Sequence, residues 1–140
     1  MIHLIKLSVG TQSVEDLARW HQSAAARTTD GLPCHVTRMW PKRQTEILDG
    51  GSIYWVIKGA ILCRQRVLRL DERIGADGLR RCAIVLDPVL VPTQSSLRRP
   101  FQGWRYLNPQ DAPADLPKSR AGEDPLPEAL NNALAEIGVI

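Results

Sequence analysis

The chain has 140 residues, of which 44% are apolar and 24% charged, a balance typical of one globular domain rather than of a disordered or fibrous chain. No apolar run approaches the roughly 20 residues that cross a bilayer, and the first residues lack the cationic start and cleavage site of a signal peptide. We therefore expect a single domain over residues 1–140, located in the cytoplasm and without a membrane partner.

The net charge of +3 is distributed unevenly along the chain. Residues 38–106 contain thirteen lysines and arginines against six acidic residues, whereas residues 107–140 contain two against six. A basic middle segment is what a surface for a polyanion requires. Arginines that only solvate the outer face of a sheet would give the same pattern, so charge alone does not decide between the two.

Cysteine and histidine give no framework for a disulfide or a metal site. Cys34, Cys63 and Cys82 are odd in number, lie far apart and form no CxxC pair, so we expect reduced, buried thiols. The histidines are scattered without the spacing of metal ligands, and we expect neither a metal nor a cofactor. Cys34 and His35 are neighbours on a predicted strand and point to opposite faces, so they cannot form a nucleophile–base pair.

A strand and a helix are predicted at the start of the chain. Residues 2–9 alternate apolar and polar side chains, which predicts a strand with Lys6 on its polar face. Ser13 is a typical N-cap residue, and the apolar stripe that follows it predicts a helix over 13–27.

A strand and a short helix come next. Residues 35–40 predict the strand, and Pro41 ends it. Residues 42–48 predict about two helical turns, on which Glu46 either faces away from the core or pairs with Lys42.

The longest run of strand-forming residues, 50–67, lies near the middle of the chain. It predicts two strands that meet at Gly59, and the first has apolar residues on both faces, as in a central strand or a barrel wall. The apolar residues change phase near Val67, which predicts a β-bulge there. Alternation along the first strand places Trp55 in the core.

Turn chemistry organises the next part of the chain. The sequence Ala-Asp-Gly at 76–78 is its strongest turn signal and predicts a hairpin whose return strand spans 81–86. Short strands are predicted over 89–91 and 104–107.

The C-terminal part predicts a loop followed by a helix. Residues 108–124 lack periodicity and predict an extended or mobile loop, and leucines at helical spacing predict a helix over 127–137. The fold class that follows is α+β: a small, mixed, mostly antiparallel, partly closed β-barrel of about six strands with about three helices.

Aromatic and basic side chains are the strongest functional signal. Cations contact phosphates and flat rings stack on unpaired bases, so we expect RNA or other single-stranded nucleic acid, or another polyanion, as a partner. The expected binding residues are Arg38, Trp40, Lys42, Arg43, Tyr54, Lys58, Arg64, Arg66, Trp104 and Arg105. The competing interpretation is that the tryptophans belong to the core and the arginines form its solvated rim.

Two other functions stay open. A small-molecule enzyme could use Lys42, Thr45 and Glu46, because a lysine beside a carboxylate can be tuned into a base, although a surface ion pair explains Lys42 and Glu46 as well. A protein-interaction module could use the acidic tail and the C-terminal helix. The oligomeric state does not follow from the sequence.

Several motifs carry a resemblance to a known family. The stretch T-R-M-W-P-K-R at 37–43, its continuation through 47–59 and 63–66, and R-P-F-Q-G-W-R-Y-L at 99–107 resemble an alphaproteobacterial family, domain of unknown function 1489. This resemblance covers nearly the whole chain and implies kinship without an activity.

A second resemblance concerns layout alone. The short helix at 42–48, the glycine turn at 49–51 and the strand at 53–58 are similar in order to those of PUA-like barrels, including the ASCH type. That likeness implies RNA or modified-base binding in the cleft beside the helix, and in some members hydrolysis of small amides by a Lys/Thr/Glu set.

Overall fold

The computed structural model describes residues 1–8, 11–22 and 27–116, which form a mixed sheet of seven strands with two α-helices. The strands are β1 (His3–Leu7), β2 (Cys34–Thr37), β3 (Ser52–Ile57), β4 (Ala60–Ile74), β5 (Arg80–Leu86), β6 (Val91–Leu97) and β7 (Trp104–Leu107). The helices are α1 (Val14–His21) and α2 (Gln44–Leu48), and a 3-10 turn spans Pro109–Asp111.

The long strand β4 organises the sheet. Its first half pairs with β3 and with β6, and its second half pairs with β5, all antiparallel. Strands β5 and β6 follow one another along the same edge of β4. Leu86, at the end of β5, lies opposite Val67, and Val91, at the start of β6, lies opposite Arg64. Beyond β3, strand β1 pairs parallel to it and β7 pairs antiparallel to β1, while β2 pairs with the outer edge of β5.

The described sheet does not close, so the predicted barrel is not confirmed. The α+β class and the mostly antiparallel pairing are confirmed. The chain bends at residues 38–39 before it enters α2, so β2 has four residues and does not pair with β7 along the path of described strands. Two helices lie in the described part of the chain, not three. The third predicted helix, over 127–137, falls outside the described residues, as do positions 117–124 of the predicted loop.

Both faces of the sheet carry apolar residues. We call the face with the larger core, which includes Leu4, Ile53 and Trp55, the inner face. The opposite, outer face carries a smaller cluster with Tyr54 and Val56. All six residues of β3 are buried, which confirms the prediction of a central strand.

Local turn and cap chemistry places the remaining elements. The Ser13 hydroxyl accepts a hydrogen bond from the backbone N–H of Asp16 (3.1 Å), so α1 begins where the sequence predicts. Lys58 and Gly59 both have positive φ, 54° and 85°, and form the two-residue turn between β3 and β4. The predicted strand over 89–91 is instead β6, which starts at Val91 and extends six residues further.

Neither helix among the described residues has the length and hydropathy needed to cross a membrane.

Candidate functional site

The predicted binding residues do not share one concave surface. One group bridges the gap between β2 and β7, a second group lines a pocket on the outer face, and the remaining residues are isolated on the surface. The structure also has a cavity on the inner face that was not predicted from the sequence.

The first group closes the gap between β2 and β7, which we call the seam. Trp104 is buried, and its Nε1 donates a hydrogen bond to the carbonyl of Met39 (3.0 Å). The hydroxyl of Tyr106 accepts hydrogen bonds from the backbone N–H groups of Lys42 (2.9 Å) and Arg43 (3.1 Å). These rings are therefore occupied in packing, and Trp104 is not available to stack on a base.

Two arginines cover rings of the seam. The guanidinium of Arg80 lies 4.3 Å from the centroid of the Trp40 ring, and that of Arg43 lies 5.3 Å from the centroid of the Tyr106 ring. Trp40 is half-buried and its Nε1 lies 3.4 Å from Oε1 of Gln44. The family-like motifs at 37–43 and 99–107 thus meet at the seam and stabilise it.

The three candidate acid–base residues lie on the surface of α2 and its approach. Lys42, Thr45 and Glu46 are exposed, and none of them lines the two cavities described below. Glu46 pairs with Arg43 rather than with Lys42, through hydrogen bonds of 2.6 and 3.0 Å. Hydrogen bonding to Arg43 holds the pKa of Glu46 below its usual range, which weakens Glu46 as a base.

The second group lines a pocket of about 490 Å³ between the outer face and the segment 109–115, which we call the outer-face pocket. Tyr54, Arg64 and Arg66 of the predicted set all lie on its wall, together with His3 and Ser52. Tyr54 of β3 lies directly opposite Arg64 of β4, and such neighbours point to the same face of a sheet. Pairing between strands thus brings the three predicted residues together.

One carboxylate balances part of the charge of this pocket. Arg64 donates to both oxygens of Asp115, with Nε–Oδ1 at 2.8 Å and Nη2–Oδ2 at 2.7 Å, and its Nη1 donates to the Ser52 hydroxyl (2.9 Å). The hydrogen bonds from Arg64 hold the pKa of Asp115 below its usual range. Arg66 is exposed and forms no ion pair with the described carboxylates.

The other titratable side chains of the pocket, His3 and Tyr54, are neutral near pH 7. His3 accepts a hydrogen bond from the Ser52 backbone N–H at Nδ1 (3.0 Å), so Nδ1 carries no proton. Burial, and then the nearby charge of Arg64, lowers the pKa of His3. Burial raises the pKa of Tyr54, so its hydroxyl stays protonated and can donate a hydrogen bond. Near neutral pH the charged side chains that line the pocket are therefore two guanidinium groups and one carboxylate.

The remaining predicted cations are dispersed. Arg38, Lys42 and Lys58 are exposed and form no ion pair with the carboxylates of the described residues. Arg105 lies over the ring of Phe101, 5.4 Å from its centroid, and donates to backbone carbonyls. These side chains add positive charge to the surface without forming a pocket.

The missed cavity, of about 730 Å³, opens on the inner face and is called the inner-face cavity. Its lining side chains include Lys6, Thr11, Trp20, His35 and Trp55. Lys6 and Ser8 lie on the opposite face from Ile5 and Leu7, as the alternation predicts, but that face is the inner one and also carries Leu4. A usable signal was the two-residue spacing from Ile2 through Leu4 to Lys6, which follows one face of a strand.

The floor of this cavity is a cluster of rings. His35 makes an edge contact with Trp55, with centroids 5.7 Å apart, and His21 lies 6.0 Å from Trp55 on the helix side. Trp55 donates from Nε1 to Oε1 of the fully buried Gln65 (2.8 Å), which fixes the indole in place. Burial, followed by the charge of Lys6, lowers the pKa of His35 to about 4, so this ring is neutral near pH 7.

Cysteine and metal chemistry find no support in the described residues. Cys34, Cys63 and Cys82 are buried and unpaired, and burial raises the pKa of Cys63 and of Cys82 to about 12, so neither is a thiolate near neutral pH. No group of three His, Cys, Asp or Glu side chains suited to a metal occurs in this part of the chain.

Comparison with known proteins gives a family and no further relative. No curated protein and no solved structure matches the chain, and the expected likeness to PUA-like barrels is not confirmed. Residues 4–140 match the model of a family described as Protein of unknown function (DUF1489). The chain therefore belongs to the DUF1489 family.

Proposed function

We propose that this protein binds single-stranded nucleic acid, RNA in preference to duplex DNA, and that the outer-face pocket receives the sugar–phosphate backbone. One observation carries the proposal: Tyr54, Arg64 and Arg66, which the sequence predicts as phosphate or base contacts, lie around the same concave pocket.

Hydrogen-bond donors favour an oxyanion in this pocket. Arg66 forms no ion pair with the described carboxylates, and Arg64 uses three of its N–H groups on Asp115 and Ser52. The Tyr54 hydroxyl makes no hydrogen bond within the described part of the chain and borders the pocket. Phosphate oxygens accept hydrogen bonds from such groups, and guanidinium groups match their geometry.

The pocket favours a backbone over a base or a duplex. The ring of Tyr54 is buried in the sheet, as is that of Trp104 in the seam, so neither offers a face for stacking. A pocket of about 490 Å³ accepts a phosphate with its sugar, whereas a rigid duplex cannot bend one strand into it. The proposed contact is therefore sequence-independent, with Arg38, Lys42 and Lys58 as additional surface charge.

The other two functions have less support. An enzyme site beside α2 lacks a described cavity at Lys42, Thr45 and Glu46. An interaction module would use the acidic tail and the C-terminal helix, and residues 117–140 of that segment lie outside the described part of the chain.

Fluorescence anisotropy with a labelled single-stranded RNA tests the proposal. We expect affinity to fall steeply between about 50 and about 200 mM salt, because each phosphate contact releases a counterion. Arg66→Ala is expected to weaken binding and to reduce the slope of log affinity against log salt by about one.

Arg73→Ala is the matched control, because Arg73 lies on the distal half of β4 and forms no ion pair with the described residues. Equal losses for Arg66→Ala and Arg73→Ala would show that only overall charge matters and would contradict the pocket. Absence of binding at low salt would overturn the function itself.

A further inference from the structure

The inner-face cavity lies on the opposite side of the sheet from the outer-face pocket and shares none of its lining residues. We propose that this cavity binds a small planar aromatic carboxylate, whose acid group pairs with Lys6 and whose ring packs against the side chains of the cavity wall.

The strand register surrounds Lys6 with rings. Lys6 of β1 lies opposite Trp55 of β3 on one side and Trp104 of β7 on the other. Residues directly opposite each other on neighbouring strands point to the same face, so all three side chains share the inner face. His35 of β2 borders the same cavity, and half-exposed Trp20 of α1 lies at its rim.

The amine of Lys6 lacks a counter-charge. Its one hydrogen bond within the described residues goes to the neighbouring carbonyl of Leu7 (3.1 Å), and it forms no ion pair with them. Burial lowers the pKa of Lys6, with no carboxylate acting in the other direction. A bound anion would supply the missing partner and favour the charged amine.

The acidic group in the cavity wall does not fill this role. Asp16 is paired with Arg19 and also accepts a hydrogen bond from the backbone N–H of Gln12 (2.9 Å). Its charge is therefore compensated on the α1 side, while the amine of Lys6 is not. The cavity has a local requirement for one negative charge.

The shape and surface of the cavity indicate an aromatic body for the ligand. A volume of about 730 Å³ lies within the range of roughly 300–1,000 Å³ seen for small-molecule sites. The rings of half-buried His35 and half-exposed Trp20 border the cavity, and His35 is uncharged near neutral pH. Flat ligands gain offset or edge contacts with such rings.

Two probes with the same ring system separate charge from ring packing. 2-Naphthoate and the uncharged 2-naphthamide are titrated into the full chain, with binding followed by two-dimensional NMR of backbone amides and indole N–H groups. We expect 2-naphthoate to bind saturably, with shifts at Lys6, His35 and Trp55, and to bind more tightly than 2-naphthamide.

Lys6→Met is expected to weaken 2-naphthoate about tenfold while leaving 2-naphthamide unchanged, because the variant loses the charge and keeps the apolar stem. Lys58→Met, at an exposed lysine in the β3–β4 turn, is the control and should change neither. Lys6→Arg keeps the charge and should retain preference for the acid.

The comparison of 2-naphthoate with 2-naphthamide on the wild-type protein tests the proposal even if Lys6→Met does not fold. Equal affinity of the acid and the amide, or shifts confined to the outer face, would overturn the proposal. Loss of RNA binding in Arg66→Ala without any change in 2-naphthoate binding would show that the two sites are separate.

Discussion

Tyr54 and Tyr106 lie on opposite faces of the sheet and differ in what their hydroxyl groups contact. The Tyr106 hydroxyl accepts two backbone hydrogen bonds at the seam, whereas the Tyr54 hydroxyl borders the outer-face pocket without a hydrogen-bond partner in the described residues. The same Tyr→Phe substitution therefore removes a structural contact in one place and a ligand contact in the other.

We predict that Tyr106→Phe lowers the free energy of unfolding by about 1 kcal/mol, because the N–H groups of Lys42 and Arg43 lose their acceptor. Tyr54→Phe should leave stability within about 0.5 kcal/mol of the wild type while weakening RNA binding. Urea denaturation of both variants measures the difference. The prediction is contradicted if the two variants are equally stable.

At the scale of the elements, the backbone around Gly51 forms a close contact between the end of α2 and the start of β1. A Cβ atom at Gly51 would lie 2.2 Å from the carbonyl oxygen of Ile2 and 2.6 Å from that of Ile47. Both neighbours are backbone atoms, so no side-chain rotation relieves the clash. Only glycine allows the helix, the turn and the strand to meet at this distance.

Gly51→Ala is therefore expected to destabilise the fold by about 3 kcal/mol or more. Gly59→Ala provides the comparison, because Gly59 has a φ of 85° but a Cβ atom there would have no neighbour within 4 Å. Left-handed strain alone should cost about 1–2 kcal/mol there. Thermal or urea unfolding ranks the two, and a larger loss at Gly59 would refute the close-contact explanation.

Elements set by local chemistry were predictable, whereas a strand that depends mainly on its pairing partner was not. The Ser13 cap, the β3–β4 turn at Gly59 and the turn at Gly78 each follow from residues within a few positions of one another. Strand β6 was mostly missed because its sequence, V-P-T-Q-S-S-L, is polar and is stabilised by its pairing with β4.

The candidate sites likewise depend on strand pairing. Tyr54, Arg64 and Arg66 lie close together in the sequence, across one turn, but uninterrupted alternation from that turn would place Tyr54 opposite Cys63. The register shift between Trp55 and Val56 brings Arg64 opposite Tyr54, so their convergence could not be predicted from alternation. The inner-face cavity combines Lys6 with His35 and Trp55 from three separate strands, so it depends on the arrangement of strands that are far apart in the sequence.

At the scale of the whole molecule, one buried and one half-buried histidine link stability to pH. His21 and His35 each have a pKa lowered from 6.5 to about 4, mainly by burial and then by Arg27 and Lys6 respectively. As the pH falls below about 6.5 the unfolded chain binds protons at these positions before the folded chain does. Folding stability is therefore fully present above this pH and is lost progressively down to about 4.

We predict that the urea midpoint falls between pH 6.5 and pH 4. The ion-paired carboxyl groups, with ordinary pKa values of 3.8 and 4.5, lose most of their contribution to stability only at lower pH. His35→Gln should flatten this dependence, since each pKa unit corresponds to about 1.4 kcal/mol. Urea titrations at several pH values test this. A wild-type midpoint that stays constant across the interval would contradict it.

The central position of β4 has a consequence for the order in which the chain assembles. Its partner β5 is reached through a short turn, so this hairpin closes with little loop entropy. Strand β1 meets β3 across about 50 residues and β7 across about 100. We expect the hairpin to form early in folding and β1 to dock late, which would make the Lys6 cavity one of the last features of the native state to appear.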